Sequence, residues 1–257
     1  MPKVIITMPN YTEERSVRFY FRVLFHAISF AAFIFVTCYA VYVWNLFRIS
    51  DDEDTLIWLI KWFTPGYVTN WNFTLQTIFL TMSLVYDLLQ WADNHEKVFG
   101  RRLKRCRDIL FTGLVVPMTL FISTFFWCIY FIDRELVFPE VYDKLVPWWF
   151  NHCVHTNILI VVGLETILQS RRHPTYRKVE LWLLGIAGVS YAIVYYSIYF
   201  FTHRWLYGVF GVMAWWQVCL FQIFIWAYLF VLYFIQFPIN RLFHKNDSEP
   251  NDRKTEF

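Results

Sequence analysis

The sequence has 257 residues, of which 58% are hydrophobic, 22% are aromatic and only 17% are charged, with a mean hydropathy of +0.38. A soluble domain usually carries about a quarter charged residues, so this composition predicts a membrane protein. The net charge is only +3, and no aqueous segment interleaves basic with aromatic residues, which argues against nucleic-acid binding. None of the five cysteines forms a CxxC pair, so neither a disulfide framework nor a zinc knuckle is indicated.

Six segments are long and apolar enough to cross a bilayer, whose core requires about twenty apolar residues in helical conformation. Their apolar runs are continuous and do not alternate, which favours helices over barrel strands. The predicted spans cover residues 19–47, 69–91, 109–132, 147–169, 179–202 and 210–238. We therefore expect an all-α, polytopic six-transmembrane-helix bundle over residues 19–239, with a head at 1–18 and a polar tail at 240–257.

The orientation follows from the basic residues, which favour the cytoplasmic side of a membrane. Most of the 23 lysines and arginines lie in the head, the tail and the two loops at 92–108 and 170–178. The alternate loops, at 48–68, 133–146 and 203–209, hold few. This alternation predicts that both termini are cytoplasmic.

The second span carries two polar stripes. Thr74, Thr77 and Thr81 fall on one face, where packing or bonding to the helix backbone accounts for such residues. Gln76, Ser83, Asp87 and Gln90 form the other stripe, which we interpret as hydrogen-bonded contact between helices.

The fourth span places unusual polar groups in an apolar segment. Asn151 and His155 are four residues apart and share a face, whereas His152 points away and pairs with Thr156. One interpretation is that both histidines donate to nearby carbonyls. The other is catalytic, because Thr74 and His155 both fall in the lumenal half, and a threonine hydroxyl activated by a histidine base can perform acyl transfer on a lipid ester. Asp87 and Glu165 fall near the cytoplasmic interface, where we interpret them as structural or orienting.

Several motifs resemble those of the androgen-induced gene 1 family of membrane lipid-ester hydrolases. They are Asp133-Arg134-Glu135 followed by Pro139, Asn151-His152-x-x-His155-Thr156, the Phe73-Thr74 helix start, Arg107-Asp108 and Trp205-x-Tyr207. The resemblance covers about residues 70–240.

The resemblance implies an integral membrane threonine hydrolase of the endoplasmic reticulum or plasma membrane. It would cleave fatty acid esters of hydroxy fatty acids without a cofactor. Thr74 matches the family's nucleophile, with Thr77 in reserve, and His155 matches its catalytic histidine. Asn151 or His152 would orient His155 or donate to the oxyanion.

Arg134 is a candidate ligand for the free carboxylate of such a substrate. The alternative is an interface anchor paired with Asp133 or Glu135.

Two other functions stay open from the sequence, together with the oligomeric state. The first is a zinc-dependent intramembrane hydrolase that uses His152, His155 and His203. The second is a transporter or receptor-like membrane scaffold, for which the only hints are Gly113 and Pro117 in the third span.

Overall fold

The computed structural model describes residues 17–46, 62–171 and 176–244, and every regular element in these ranges is helical. Six long helices lie within them: α1 Val17–Leu46, α2 Val68–Trp91, α3 Val98–Ile132, α4 at 148–168, α5 Arg177–Thr202 and α6 Trp215–Phe243. Two 3₁₀ turns, Thr64–Gly66 and Arg134–Leu136, and two four-residue helices, Tyr142–Leu145 and Gly208–Gly211, connect them. Most of the predicted head and tail, most of the loop at 48–68 and part of the loop at 170–178 lie outside the described residues.

Each predicted span contains one long helix, but two helices begin elsewhere than expected. Helix α3 starts at Val98 because the basic segment Val98–Leu110 is helical too and continues into the apolar part. Helix α6 starts at Trp215, since the preceding residues form the short helix Gly208–Gly211. It then continues through Pro238 to Phe243, beyond the predicted end at 238.

Four helices in the described part of the chain, α1, α3, α5 and α6, are long and apolar enough to cross a membrane. Helix α2 carries buried polar side chains along its length, and a π turn of 5 residues divides α4 into α-helical pieces of 5 and 11 residues. Large apolar side chains lie exposed on the outer helices, such as Phe201 at 86% and Trp182 at 72%. A surface of this kind requires lipid as its solvent, so the chain is an integral multi-pass membrane protein.

Helix α3 is the central helix. In its most apolar 18-residue stretch, 61% of the residues are buried, whereas the corresponding share is 17% to 22% in α1, α5 and α6. Its π turn Phe111–Val115 packs in the main core with Phe79, Leu80 and Ile158. The apolar core is therefore built around α3 and the faces of α2 and α4 that meet it.

Buried polar groups join the helices at two levels, as the second stripe of α2 predicted. Gln76 donates to Thr119 of α3 at 2.7 Å, and Thr119 donates to Asn72 at 3.2 Å. At the other end of α2, His26 of α1 lies 2.6 Å from Asp87 and 2.8 Å from Glu165 of α4. Asp87 and Glu165 are thus structural groups that connect α1, α2 and α4.

Candidate active site

A cavity of about 320 Å³ lies inside the bundle, and all six long helices contribute to its wall. Most of the wall is aliphatic or aromatic, as expected of a site that accepts an acyl chain. The polar groups on it come chiefly from the start of α2, the first half of α4 and five tyrosines. Reaction chemistry in this cavity would therefore depend on those groups.

His155 and Asn151 share the cavity-facing side of α4, in agreement with their predicted spacing. His155 is 8% exposed and lies in the π turn Cys153–Asn157, and its ring stacks on Phe126 with centroids 3.5 Å apart. Nδ1 of His155 and Oδ1 of Asn151 are buried without a hydrogen-bond partner among the described residues. Such orphaned atoms are costly unless a ligand or water satisfies them.

His152 faces away from the cavity. It is exposed, its Nδ1 lies 3.2 Å from the Thr156 hydroxyl, and its ring stacks on Trp127. The predicted pairing with Thr156 is confirmed. The predicted role of His152 in orienting His155 or holding an oxyanion is not supported by this position, so Asn151 is the better candidate.

Thr74 does not line the cavity that His155 lines, contrary to our expectation. Thr74 is exposed and donates its hydroxyl to the carbonyl of Asn70 at 2.8 Å. Its position follows from the helix: at 100° per residue it lies about 160° from both Asn72 and Gln76, which are buried. Thr77, the reserve candidate, likewise bonds a backbone carbonyl, that of Phe73 at 2.9 Å.

Thr69 is the threonine of α2 that lines the cavity together with His155. It is half-buried in the first turn of α2, and its hydroxyl makes no hydrogen bond to the described residues. We did not identify it from the sequence. The available signal was that Thr69, Gln76 and Ser83 recur every seven residues, which puts Thr69 on the buried polar face.

Four tyrosine hydroxyls surround this first turn, and sequence reasoning missed three of them. Tyr142 donates to Tyr67 at 2.9 Å, and Tyr191 and Tyr207 form a second pair at 2.9 Å. The amide of Val68 donates to the Tyr207 hydroxyl at 3.1 Å. The only signal was the Trp205-x-Tyr207 motif, because the other three tyrosines meet only in the folded chain.

Arg134 is held in the loop after α3 and does not line the cavity. Its guanidinium lies 2.9 Å from the carboxylate of Asp143 and donates to the carbonyl of Phe138 at 3.3 Å. Asp133 instead accepts from the amide of Glu135 at 3.0 Å. The carboxylate paired with Arg134 is therefore that of Asp143, and not that of Asp133 or Glu135.

The described residues contain no group of three His, Cys, Asp or Glu side chains that could hold a metal ion. His203, the third ligand of the zinc alternative, is exposed at the end of α5 in the left-handed conformation with φ of 55°. The ligand set of that alternative is thus not assembled in the described part of the chain.

Comparison with known proteins agrees with the resemblance seen in the sequence. A family model described as FAR-17a/AIG1-like protein matches residues 21–241. The androgen-dependent TFPI-regulating protein of Mesocricetus auratus is 33% identical over 71% of this chain and 84% of its own length. The androgen-induced gene 1 protein of Homo sapiens is 27% identical over 55% of this chain and 61% of its own length. No solved structure matches.

Proposed function

Since the chain belongs to the FAR-17a/AIG1-like family, we propose that it is an integral membrane hydrolase of lipid esters, with Thr69 as nucleophile and His155 as general base. One observation carries the proposal: Thr69 and His155, from different helices, line the same largely apolar cavity. Thr69 takes the role that the resemblance suggested for Thr74. The substrate class we propose is fatty acid esters of hydroxy fatty acids.

The proposed reaction uses groups of this chain alone. The Thr69 hydroxyl attacks the ester carbonyl carbon while a ring nitrogen of His155 takes its proton. The tetrahedral intermediate expels the hydroxy fatty acid, whose oxygen receives that proton from His155. Water then attacks the acyl-threonine with His155 again as the base, which releases the fatty acid and restores Thr69.

The surroundings of the two residues suit this chemistry. The buried ring of His155 stacks on Phe126, which restrains the plane of the imidazole, and orientation of a base contributes to its rate. Asn151, with its unpartnered oxygen on the same face, is the neighbour best placed to orient His155 or a water. The wall of the cavity is largely apolar, and hydrogen bonds formed in apolar surroundings are stronger than in solvent.

For the orientation in the membrane, we propose six spans with both termini cytoplasmic, in the endoplasmic reticulum or plasma membrane. The loops predicted to be lumenal carry Tyr142 and Tyr207, which meet the start of α2. The His26 network lies at the other end of α2. Thr69 and His155 would then lie in the lumenal half of the bilayer.

Trapping the acyl-enzyme tests the nucleophile directly. Purified protein would be mixed with a fatty acid ester of a hydroxy fatty acid, quenched in acid within one turnover and digested by a protease that cleaves after Trp71. That cleavage separates Thr69 from Thr74, and we expect the added acyl mass on the peptide with Thr69. An acyl mass on the peptide with Thr74 would contradict the assignment.

A further inference from the structure

Counting protons on the two tyrosine pairs leaves hydroxyl hydrogens without an acceptor. Tyr142 donates to the Tyr67 oxygen, so the proton of Tyr67 itself must point elsewhere. No group among the described residues accepts it. The second pair has two hydroxyl protons but only one hydrogen bond between the two oxygens, so one proton has no acceptor among the described residues. The Tyr207 oxygen also accepts a hydrogen bond from the amide of Val68.

Tyr67 lies close to the proposed nucleophile in the chain and lines the same cavity. It is the N-cap residue of α2, two positions before Thr69. Its ring packs edge-on against Tyr207 with centroids 5.5 Å apart, and the bond from Tyr142 fixes its oxygen. The Tyr67 hydroxyl is therefore held in position by a bond that its oxygen accepts, and its own proton remains available to a ligand.

The Tyr67 hydroxyl is also harder to deprotonate than an exposed tyrosine. Burial raises the pKa of Tyr67, and burial raises the pKa of Tyr142 well above its usual range. Both hydroxyls are thus neutral donors through neutral and mildly alkaline conditions. The start of α2 adds the positive end of a helix dipole, which favours negative charge at the same place.

We infer that Tyr67 is the oxyanion donor of this hydrolase, an inference that rests on the function proposed above. When Thr69 attacks, the carbonyl oxygen of the ester becomes negatively charged. The Tyr67 O–H donates a hydrogen bond to that oxygen, and the proton stays on Tyr67 throughout. The bond weakens again when the intermediate collapses to the acyl-threonine, so its main effect is on the transition state.

Two matched substitutions test the inference, each of which removes a single hydroxyl. Tyr67→Phe removes the donor itself, and we expect kcat to fall by about a hundredfold with little change in KM. Tyr142→Phe removes only the group that positions Tyr67, and we expect a loss of less than about tenfold. Thermal unfolding of both variants in detergent would show that the bundle remains folded.

A second readout separates oxyanion binding from a structural effect. A long-chain trifluoromethyl ketone forms a charged tetrahedral adduct with the nucleophile, whereas the corresponding fatty alcohol binds without one. Tyr67→Phe should lower the affinity for the ketone by about the same factor as it lowers kcat, and it should leave the affinity for the alcohol unchanged.

Three results would overturn the inference. They are an unchanged kcat in Tyr67→Phe, an increase in KM alone, or an equal loss of kcat in Tyr142→Phe. If the wild type cleaves the ester and Thr69→Ala does not, these results reject the role of Tyr67 and leave the proposed function standing. A wild type that hydrolyses no ester would reject both.

Discussion

At the scale of single residues, the surroundings of a side chain decide its chemistry more than its type does. Thr69 and Thr74 belong to the same helix, yet they point about 140° apart. Thr74 bonds its own helix backbone on the outer surface, whereas Thr69 lines the cavity that His155 also lines. Of these two threonines, only Thr69 shares a cavity with His155.

Arg134 gives a prediction at the same scale. Because it is paired with Asp143 and does not line the cavity, Arg134→Ala should change KM equally for a substrate with a free carboxylate and for its methyl ester. Steady-state hydrolysis of both substrates by the wild type and the variant provides the comparison. An increase in KM confined to the carboxylate substrate would mean that Arg134 binds the carboxylate after all.

At the scale of helices, α4 combines two functions along its length. Its first half carries Asn151 and the π turn with His155, and an irregular turn of this kind is frequent at functional sites. Its second half carries Glu165, which is bonded to His26 and to Arg171. The ionic end fixes α4 against α1 and α2, and the other end faces the cavity.

Removing His26 should therefore destabilise the bundle without touching the cavity. His26→Leu would leave the buried carboxylates of Asp87 and Glu165 without their shared partner. Breaking a buried ionic pair costs about 3–5 kcal/mol. Thermal unfolding in detergent should show a clearly lower Tm than for His152→Leu, the same change at an exposed histidine of α4. Equal Tm values would mean that the network stabilises little.

At the scale of the whole molecule, the proposed orientation puts the basic segment of α3 and the loop after it on opposite sides of the membrane. Cys106 is exposed in the basic segment, and Glu140→Cys would place a second thiol at an exposed position in that loop. In sealed vesicles, a membrane-impermeant maleimide should label only one of the two thiols until the vesicles are opened. Labelling of both thiols in sealed vesicles would contradict the proposed topology.

The sequence predicted the elements of this fold better than the arrangement of its site. Continuous apolar runs identify helices, and the four-residue spacing of Asn151 and His155 placed them on one face. The sequence did not show that Thr74 lies on the exposed face of α2, because a periodic stripe does not tell which face turns inward. The tyrosine cluster could not be predicted from the sequence, because its members come from separate segments that meet only through the packing of the bundle. They are Tyr67, Tyr142, Tyr191 and Tyr207.

We propose that Thr69 and His155 act together in one cavity, and ester hydrolysis by three alanine variants distinguishes this pair from Thr74. Release of fatty acid from a fatty acid ester of a hydroxy fatty acid would be followed by mass spectrometry for the wild type, Thr69→Ala, His155→Ala and Thr74→Ala. We expect the first two variants to lose activity by about a thousandfold or more and Thr74→Ala to stay near the wild-type rate. An active Thr69→Ala beside an inactive, folded Thr74→Ala would contradict the account.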